Sequence, residues 1–147
     1  MKFHTEGSLP AKGVVFVFGS NLAGRHGKGS ALAARQQYGA IYGQGRGRQG
    51  MSYAIPTKDG RPGTPPLQHP ASTLPLSSIK ADVDVFIQYA KENPDLEFFV
   101  VRLGCALATH ENKDIAPMFK DAPDNCSFSE QWKPWLDSTP TSAPSFS

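Results

Sequence analysis

The sequence predicts an α/β domain in which helices cover both faces of a mostly parallel sheet. Two short apolar runs, at residues 14–18 and 97–103, are each followed by a glycine, and segments of helical character lie between them. Continuous apolar runs are typical of strands that are buried on both faces, as in the middle of a parallel sheet. Strands that alternate with helices indicate such a sheet. The length of 147 residues suits one domain.

The first strand is predicted at residues 14–18, where β-branched and aromatic residues end at Gly19. A glycine-rich loop over 19–29 follows it. Good helix formers then predict a helix over 28–38, with Gly39 placed where a helix stop belongs. Strand, glycine loop and helix therefore follow one another directly.

Residues 43–50 contain four glycines, which are too many for the interior of a helix or strand, so they predict a second loop. The run 45–50 matches GxGxxG literally, but it precedes a strand and does not join a strand to a helix, so the match is interpreted as chance. The next strand is expected at 52–55, ended by Pro56. Residues 60–75 form a long excursion, which is either a lid or a mobile insertion.

A helix capped by Ser77 or Ser78 is predicted next, since its apolar residues fall on one face: Ile79, Val83, Phe86, Ile87 and Ala90. Residues 97–103 are the second central strand. A short helix over 112–119, capped by its first residue, and a last strand over 126–128 complete the domain. We expect this domain to cover residues 1–137, and residues 138–147, rich in Ser, Thr and Pro, to be disordered.

Positive charge is concentrated in the first part of the chain. Residues 7–58 contain seven Lys and Arg and no Asp or Glu, and the chain as a whole has a formal net charge of only +2. Such a field favours an anionic partner: a nucleic acid, a dinucleotide or a phosphosugar.

Several classes of protein are disfavoured. The longest apolar run is far below the roughly 20 residues that cross a bilayer, and residues 1–12 have no signal-peptide core, so we expect a cytoplasmic protein without membrane contact. Cys105 and Cys126 show no CxxC spacing and no clustering with histidine. They are interpreted as reduced, buried residues, and neither a metal site nor a cofactor is predicted.

The first glycine loop has the composition of a phosphate-binding loop. Its backbone amides precede a helix, where the helix dipole favours an anion, and a Cβ atom would block close approach of the backbone. A merely tight turn would need neither of the two cations. A P-loop is excluded because Arg and His stand where Lys and Ser/Thr are required. The predicted ligand-binding residues of this loop are Gly24, Arg25, His26, Gly27, Lys28 and Gly29.

Three segments together resemble macrodomains, the family of three-layer α/β/α domains that bind ADP-ribose. They are residues 15–39 (VFVFGSNLAGRHGKGSALAARQQYG), 52–59 (SYAIPTKD) and 101–119 (VRLGCALATHENKDIAPMF), in the family's order and spacing. The resemblance is greatest to the branch that removes terminal ADP-ribose from acidic side chains or dephosphorylates ADP-ribose 1''-phosphate. That branch usually has Ile-Gly-Cys-Gly-Leu where this chain has Leu-Gly-Cys-Ala-Leu at 103–107.

The resemblance implies a role for each matching residue. Asn21 would face the distal ribose, and Lys58 would be the reactive lysine, since an amine with a lowered pKa can attack the anomeric carbon. For Lys58 a solvated cation at the end of a strand is an equally good interpretation. The loop at 24–29 would enclose the pyrophosphate and distal ribose together with a second loop, formed by Gly104, Cys105, Ala106 and Leu107.

Two positions depart from the family. Ala108 stands where the branch has an acid or base, and His110, Glu111 or Asp59 are the candidates to replace it. His110 is preferred because histidine exchanges protons near neutral pH. The Gly-Asp pair with which macrodomains bind adenine corresponds to Gly7-Ser8 in this chain.

Three functions remain open at this point. The first is an ADP-ribosyl hydrolase or ADP-ribose 1''-phosphate phosphatase that needs no cofactor, acting on free ADP-ribose derivatives or on an ADP-ribosylated protein or metabolite. The second is a module that binds ADP-ribose or a nucleotide in the same pocket but does not catalyse a reaction. The third is a small nucleic-acid binder that uses the cationic part of the chain.

Overall fold

The computed structural model describes residues 1–105 and 109–137. It confirms an α/β fold with a six-stranded, mostly parallel mixed sheet of order β1-β6-β5-β2-β4-β3, in which only β3 and β4 pair antiparallel. The tail predicted at 138–147 lies outside the described residues. The strands are β1 (Lys2–His4), β2 (Val15–Asn21), β3 (Gly47–Gln49), β4 (Ser52–Lys58), β5 (Phe98–Val100) and β6 (Cys126–Ser129).

Three α-helices lie between strands along the chain, and a fourth follows the last described strand. Within the described ranges none of them has the length and apolar content to cross a membrane. The α-helices are α1 (Gly29–Gln37), α2 (Leu76–Glu92), α3 (Asn112–Ile115) and α4 (Lys133–Leu136). Short 3₁₀ turns span Pro70–Ser72, Ala116–Phe119 and Glu130–Trp132.

Strand β2 lies in the middle of the sheet, between β4 and β5, and all but one of its residues are buried. Because successive side chains point to opposite faces, Phe16 and Phe18 pack in one apolar cluster with Ala31 and Ala34 of α1. Val15 and Val17 belong to a second cluster, which contains the apolar residues of α2, the aromatic residues of the last third and Ile115. Because both faces of the strand are buried, residues 14–18 form an uninterrupted apolar run in the sequence.

The predicted ends of three strands are wrong. β2 continues through Gly19 to Asn21, whereas β5 covers only Phe98–Val100 of the predicted 97–103. β4 continues through Pro56 to Lys58. β3 pairs only as far as Ala54, so at Pro56 that side of β4 is open, and a proline is tolerated where no neighbouring strand needs its N–H.

The interpretation of residues 43–50 as a loop is wrong for its second half, which forms β3, and β1 was not predicted. The glycines before β3 have a packing role. A Cβ atom at Gly45 would lie 2.3 Å from the Asn21 carbonyl oxygen, and one at Gly24 would lie 2.3 Å from the Gly43 carbonyl carbon. Two backbone segments therefore approach each other at a distance that only glycine allows.

The predicted helix caps are also wrong. Pro75 occupies the N-cap of α2, and its carbonyl accepts from the backbone N–H groups of Ser78 and Ile79. Glu111 occupies the N-cap of α3, and Asn112 is the first residue of the helix. The side-chain oxygen of Asn112 accepts from the Trp132 indole at 2.9 Å and from the Arg102 guanidinium at 3.1 Å. Cys126 is buried as expected, but Cys105 is only half-buried.

Candidate functional site

A cavity of about 500 Å³ opens where β2, β4 and the chain after β5 end. Ligand sites in open α/β sheets lie at this edge, and cavities of roughly 300–1,000 Å³ hold small molecules. The end of β2, the loop after it and the start of α1 form one wall. Thr57 and Lys58 of β4, Leu67 and Gln68 of the excursion, and residues 101–105 complete it.

The two predicted glycine loops meet at this cavity. Gly27 and Gly29 of the first loop line it together with Gly104 and Cys105 of the second. A Cβ atom at Gly19, near the end of β2, would lie 3.7 Å from the Gly104 backbone nitrogen, so the two chain segments are in direct contact. Ala106 and Leu107 of the predicted set, and the neighbouring Ala108, lie outside the described residues.

Asn21 lines the cavity and shapes the first loop. Its side-chain oxygen accepts from the Arg25 backbone N–H at 2.9 Å, and its side-chain nitrogen donates to the Arg25 carbonyl at 3.0 Å. Gly24 lies between the two residues that these hydrogen bonds join, and its positive φ of 69° turns the chain there. The amide therefore fixes where Arg25 and the residues after it meet the cavity.

The start of α1 presents backbone donors to the cavity. The first N–H groups of a helix have no partner within the helix, and Gly29, Ser30 and Ala31, the first three residues of α1, all line the cavity. Lys28 precedes them without a capping side-chain bond. An anion at this point would meet the positive end of the helix dipole.

His26 lies under the loop, away from the cavity. Its ring is fully buried, with its centroid 5.3 Å from that of Phe18 and 6.5 Å from that of Tyr42. Burial, aided by the charge of Arg35, lowers the pKa of His26. The structure therefore does not bring this predicted ligand residue to the cavity, and its contacts support the loop from below. Gly24 likewise packs behind the loop, against Gly43.

The charged side chains of the cavity are mostly cationic. Arg25, Lys28, Lys58 and Arg102 line it, with Glu6 as the one acid among the lining residues described. Glu6 is paired: Arg102 donates to its two oxygens at 3.1 and 3.2 Å, which lowers the pKa of Glu6. The remaining cations favour an anionic ligand.

Lys58 is a buried side chain and not a solvated cation. It is 2% exposed, and its Nζ donates to the carbonyls of Leu67 at 2.7 Å and His69 at 3.1 Å. Burial lowers the pKa of Lys58 from its ordinary value of 10.5. The amine both lines the cavity and ties the excursion to β4.

The excursion at 60–75 is attached to the sheet along its second half. Asp59 donates its backbone N–H to Ser72, and Leu74 donates to Thr57. Leu67 and Gln68 cover one side of the cavity. The Asp59 carboxylate is occupied by a pair with Arg61, at 2.6 Å.

His110 is not among the residues that line the cavity containing Lys58. It lines a neighbouring space of about 290 Å³ with Arg102, Cys105 and Glu111. Its Nε2 lies 3.1 Å from the Leu74 carbonyl oxygen. The structure therefore does not bring the two predicted catalytic residues to one cavity.

Neither cysteine thiol is activated as a nucleophile. Burial raises the pKa of Cys105 to about 11 and that of Cys126 to about 12, so both remain protonated at neutral pH. In residues 1–105 and 109–137, no group of three or more His, Cys, Asp or Glu is arranged to hold a metal ion.

The lining residues that sequence reasoning missed include Glu6, Tyr42 and Arg102. Glu6 and Arg102 are 96 positions apart in sequence, and no local pattern marks either. Tyr42 could have been found from its position between two glycine-rich segments, where an aromatic residue has no strand or helix face to join. Ser8, the expected counterpart of the adenine-binding acid, is not among the lining residues.

No model of a protein family matches the sequence, and no curated protein matches it either.

Proposed function

We propose that the cavity binds ADP-ribose or an ADP-ribosyl derivative, in a macrodomain-type three-layer α/β/α domain. The observation that supports this best is the meeting of two glycine loops, Gly27 with Gly29 and Gly104 with Cys105, at a single cationic cavity. A diphosphate needs backbone donors that approach it closely from more than one side. The three segments resemble macrodomains, and ADP-ribose, the ligand of that family, contains such a diphosphate.

The dimensions and charge of the cavity agree with that ligand. Its volume of about 500 Å³ is in the range that holds drug-sized molecules. Gly29, Ser30 and Ala31, whose N–H groups have no partner within the helix, line one side of the cavity. Arg25 and Lys28 add positive charge, while Asn21 and Thr57 offer polar groups for a ribose.

Hydrolysis is the second part of the proposal, and Lys58 carries it. A buried amine with a lowered pKa, on the wall of the same cavity, has the properties of a nucleophile for an anomeric carbon. Its attack would displace the ester or phosphate oxygen from that carbon, and water would release the sugar. His110 lies in the neighbouring space, so the proposal assigns it no contact with this amine.

A thermal-shift panel tests the ligand class. ADP-ribose, ADP-ribose 1''-phosphate, NAD, AMP and a short RNA are compared at equal concentration, because a ligand of the native state raises its apparent stability, by about 2.7 kcal/mol at 100 times Kd. We expect the ADP-ribose compounds to give the largest shifts. A shift with RNA alone would contradict the proposal.

Turnover is tested separately with Lys58→Met, which keeps the length of the side chain and removes the amine. Hydrolysis of an ADP-ribosylated protein should be lost, while calorimetry still detects ADP-ribose binding. If this variant still hydrolyses the substrate, Lys58 is not the nucleophile. Absence of turnover in the wild-type protein, with ADP-ribose bound, would identify a binding module.

A further inference from the structure

The mouth of the cavity carries exposed cations that no acid neutralises. Residues 7–58 contain seven Lys and Arg and no acid. Lys58 is buried, Arg46 pairs with Asp82, and Arg48 donates to Tyr89. Lys12 and Arg35 do not line the cavity, but Arg35 contacts the ring of Tyr42, which does. Arg25, Lys28 and Arg35 are exposed and form no ion pair within the described residues.

An exposed aromatic ring lies among these cations. Tyr42 is 56% exposed and lines the cavity, and the Arg35 guanidinium lies 5.4 Å from the centroid of its ring. A tyrosine in this position buries little of its own surface in the fold. Solvent-facing rings beside cations are the stacking platforms on which proteins hold unpaired bases.

The spacing of the cations forms a row along α1. Lys28 precedes the first turn and Arg35 follows seven residues later, which is about two turns, so both lie on one side of the helix about 10 Å apart along its axis. Tyr42 lies near both ends of this row. The Arg35 guanidinium is 5.4 Å from the centroid of its ring, and the next residue, Gly43, donates its backbone N–H to the carbonyl of Gly24, the neighbour of Arg25, at 2.9 Å.

We propose that this row, Arg25, Lys28, Arg35 and Tyr42, binds a single-stranded nucleic acid. The phosphates would lie on the three cations, and one base would stack on the tyrosine. A strand supplies both charge and an exposed base, whereas an acidic peptide supplies only the charge, and a duplex hides the faces of its bases. Arg25, Lys28 and Tyr42 line the cavity and Arg35 does not, so a bound strand would extend from the cavity onto the exposed side of α1.

Fluorescence anisotropy of a short labelled single-stranded RNA tests this surface at a series of salt concentrations. Three neutralised phosphates predict that the logarithm of the binding constant falls with the logarithm of salt with a slope of about −2. The triple variant R25A/K28A/R35A should lose that slope. The matched control K12A/K91A/K120A removes the same charge from exposed positions elsewhere and should retain it.

Tyrosine variants test the stacking. Tyr42→Ala should weaken binding by about 5- to 150-fold, the usual worth of one stacked base, and Tyr42→Phe should restore it because the ring remains. All positions changed are exposed, and thermal denaturation of each variant verifies that it is folded.

Several results would overturn the proposal. They are absence of RNA binding at low salt, equal losses in the two triple variants, no loss in Tyr42→Ala, and equal affinity for a labelled polyglutamate or for the duplex of the same sequence. None of these measurements uses ADP-ribose. Failure of the cavity to bind ADP-ribose would therefore leave this proposal standing, and failure here would leave the proposal for the cavity standing.

Discussion

Gly27→Ala should separate ligand binding from stability. Gly27 lines the cavity, its φ lies outside the left-handed region, and a Cβ atom there would have no atom within 4 Å. The native conformation is therefore open to alanine, which restricts the unfolded chain and should stabilise the fold by about 0.4–1 kcal/mol. The methyl group would nevertheless stand at the wall that we assign to the diphosphate. Loss of one charge-assisted hydrogen bond, about 1.5–3 kcal/mol, predicts roughly 10- to 150-fold weaker binding of ADP-ribose.

Gly13→Ala is the matched control. Gly13 also has open space around its Cβ position, but its φ of 87° is strained for alanine, and it is not among the lining residues. We expect a loss of about 1–2 kcal/mol in the free energy of unfolding and no change in affinity. Urea denaturation and calorimetry measure the two quantities for both variants. A folded Gly27→Ala protein with wild-type affinity would refute the assignment of this loop to the ligand.

Three further predictions concern the fold. Burial lowers the pKa of His26 below its ordinary 6.5, so the unfolded state binds more protons than the folded state as the pH falls from 7 to 5. The free energy of unfolding should therefore fall by at most about 1.4 kcal/mol per pH unit for this histidine. His26→Phe should make the free energy of unfolding, measured by denaturation, depend less on pH. Gly45→Ala should cost about 3 kcal/mol by the same method, because its Cβ would lie 2.3 Å from a carbonyl oxygen. Gly47→Ala, with open space but a φ of 88°, should cost about 1–2 kcal/mol. Trp132→Ala should cost about 3–5 kcal/mol in urea denaturation, since the indole is fully buried and donates to Asn112.

Local patterns in the sequence were enough to locate the two glycine loops. An apolar run followed by glycine marks a buried strand and its end, and parallel strands end at one edge of the sheet. Gly27 and Gly104 could therefore be expected near each other although they are far apart in the chain. The amphipathic face of α2 was equally readable, since all five predicted apolar residues are buried.

Features set by distant partners could not be read in this way. Pro56 continues a strand because its neighbour β3 is short. The side-chain oxygen of Asn112 bonds Trp132 and Arg102, which are distant in the sequence, and does not cap the helix. Glu6 reaches the cavity through a pair with Arg102 that no local pattern encodes. The burial of Lys58 depends on carbonyls of the excursion, nine and eleven residues further along the chain.

Calorimetric titration of ADP-ribose, with adenosine as the ligand that lacks the diphosphate, is the most direct test of the site. If backbone donors of the two loops hold the diphosphate, ADP-ribose should bind at one site per chain and adenosine should bind far more weakly. No heat of binding with millimolar ADP-ribose, or equal affinity for adenosine, would contradict the account.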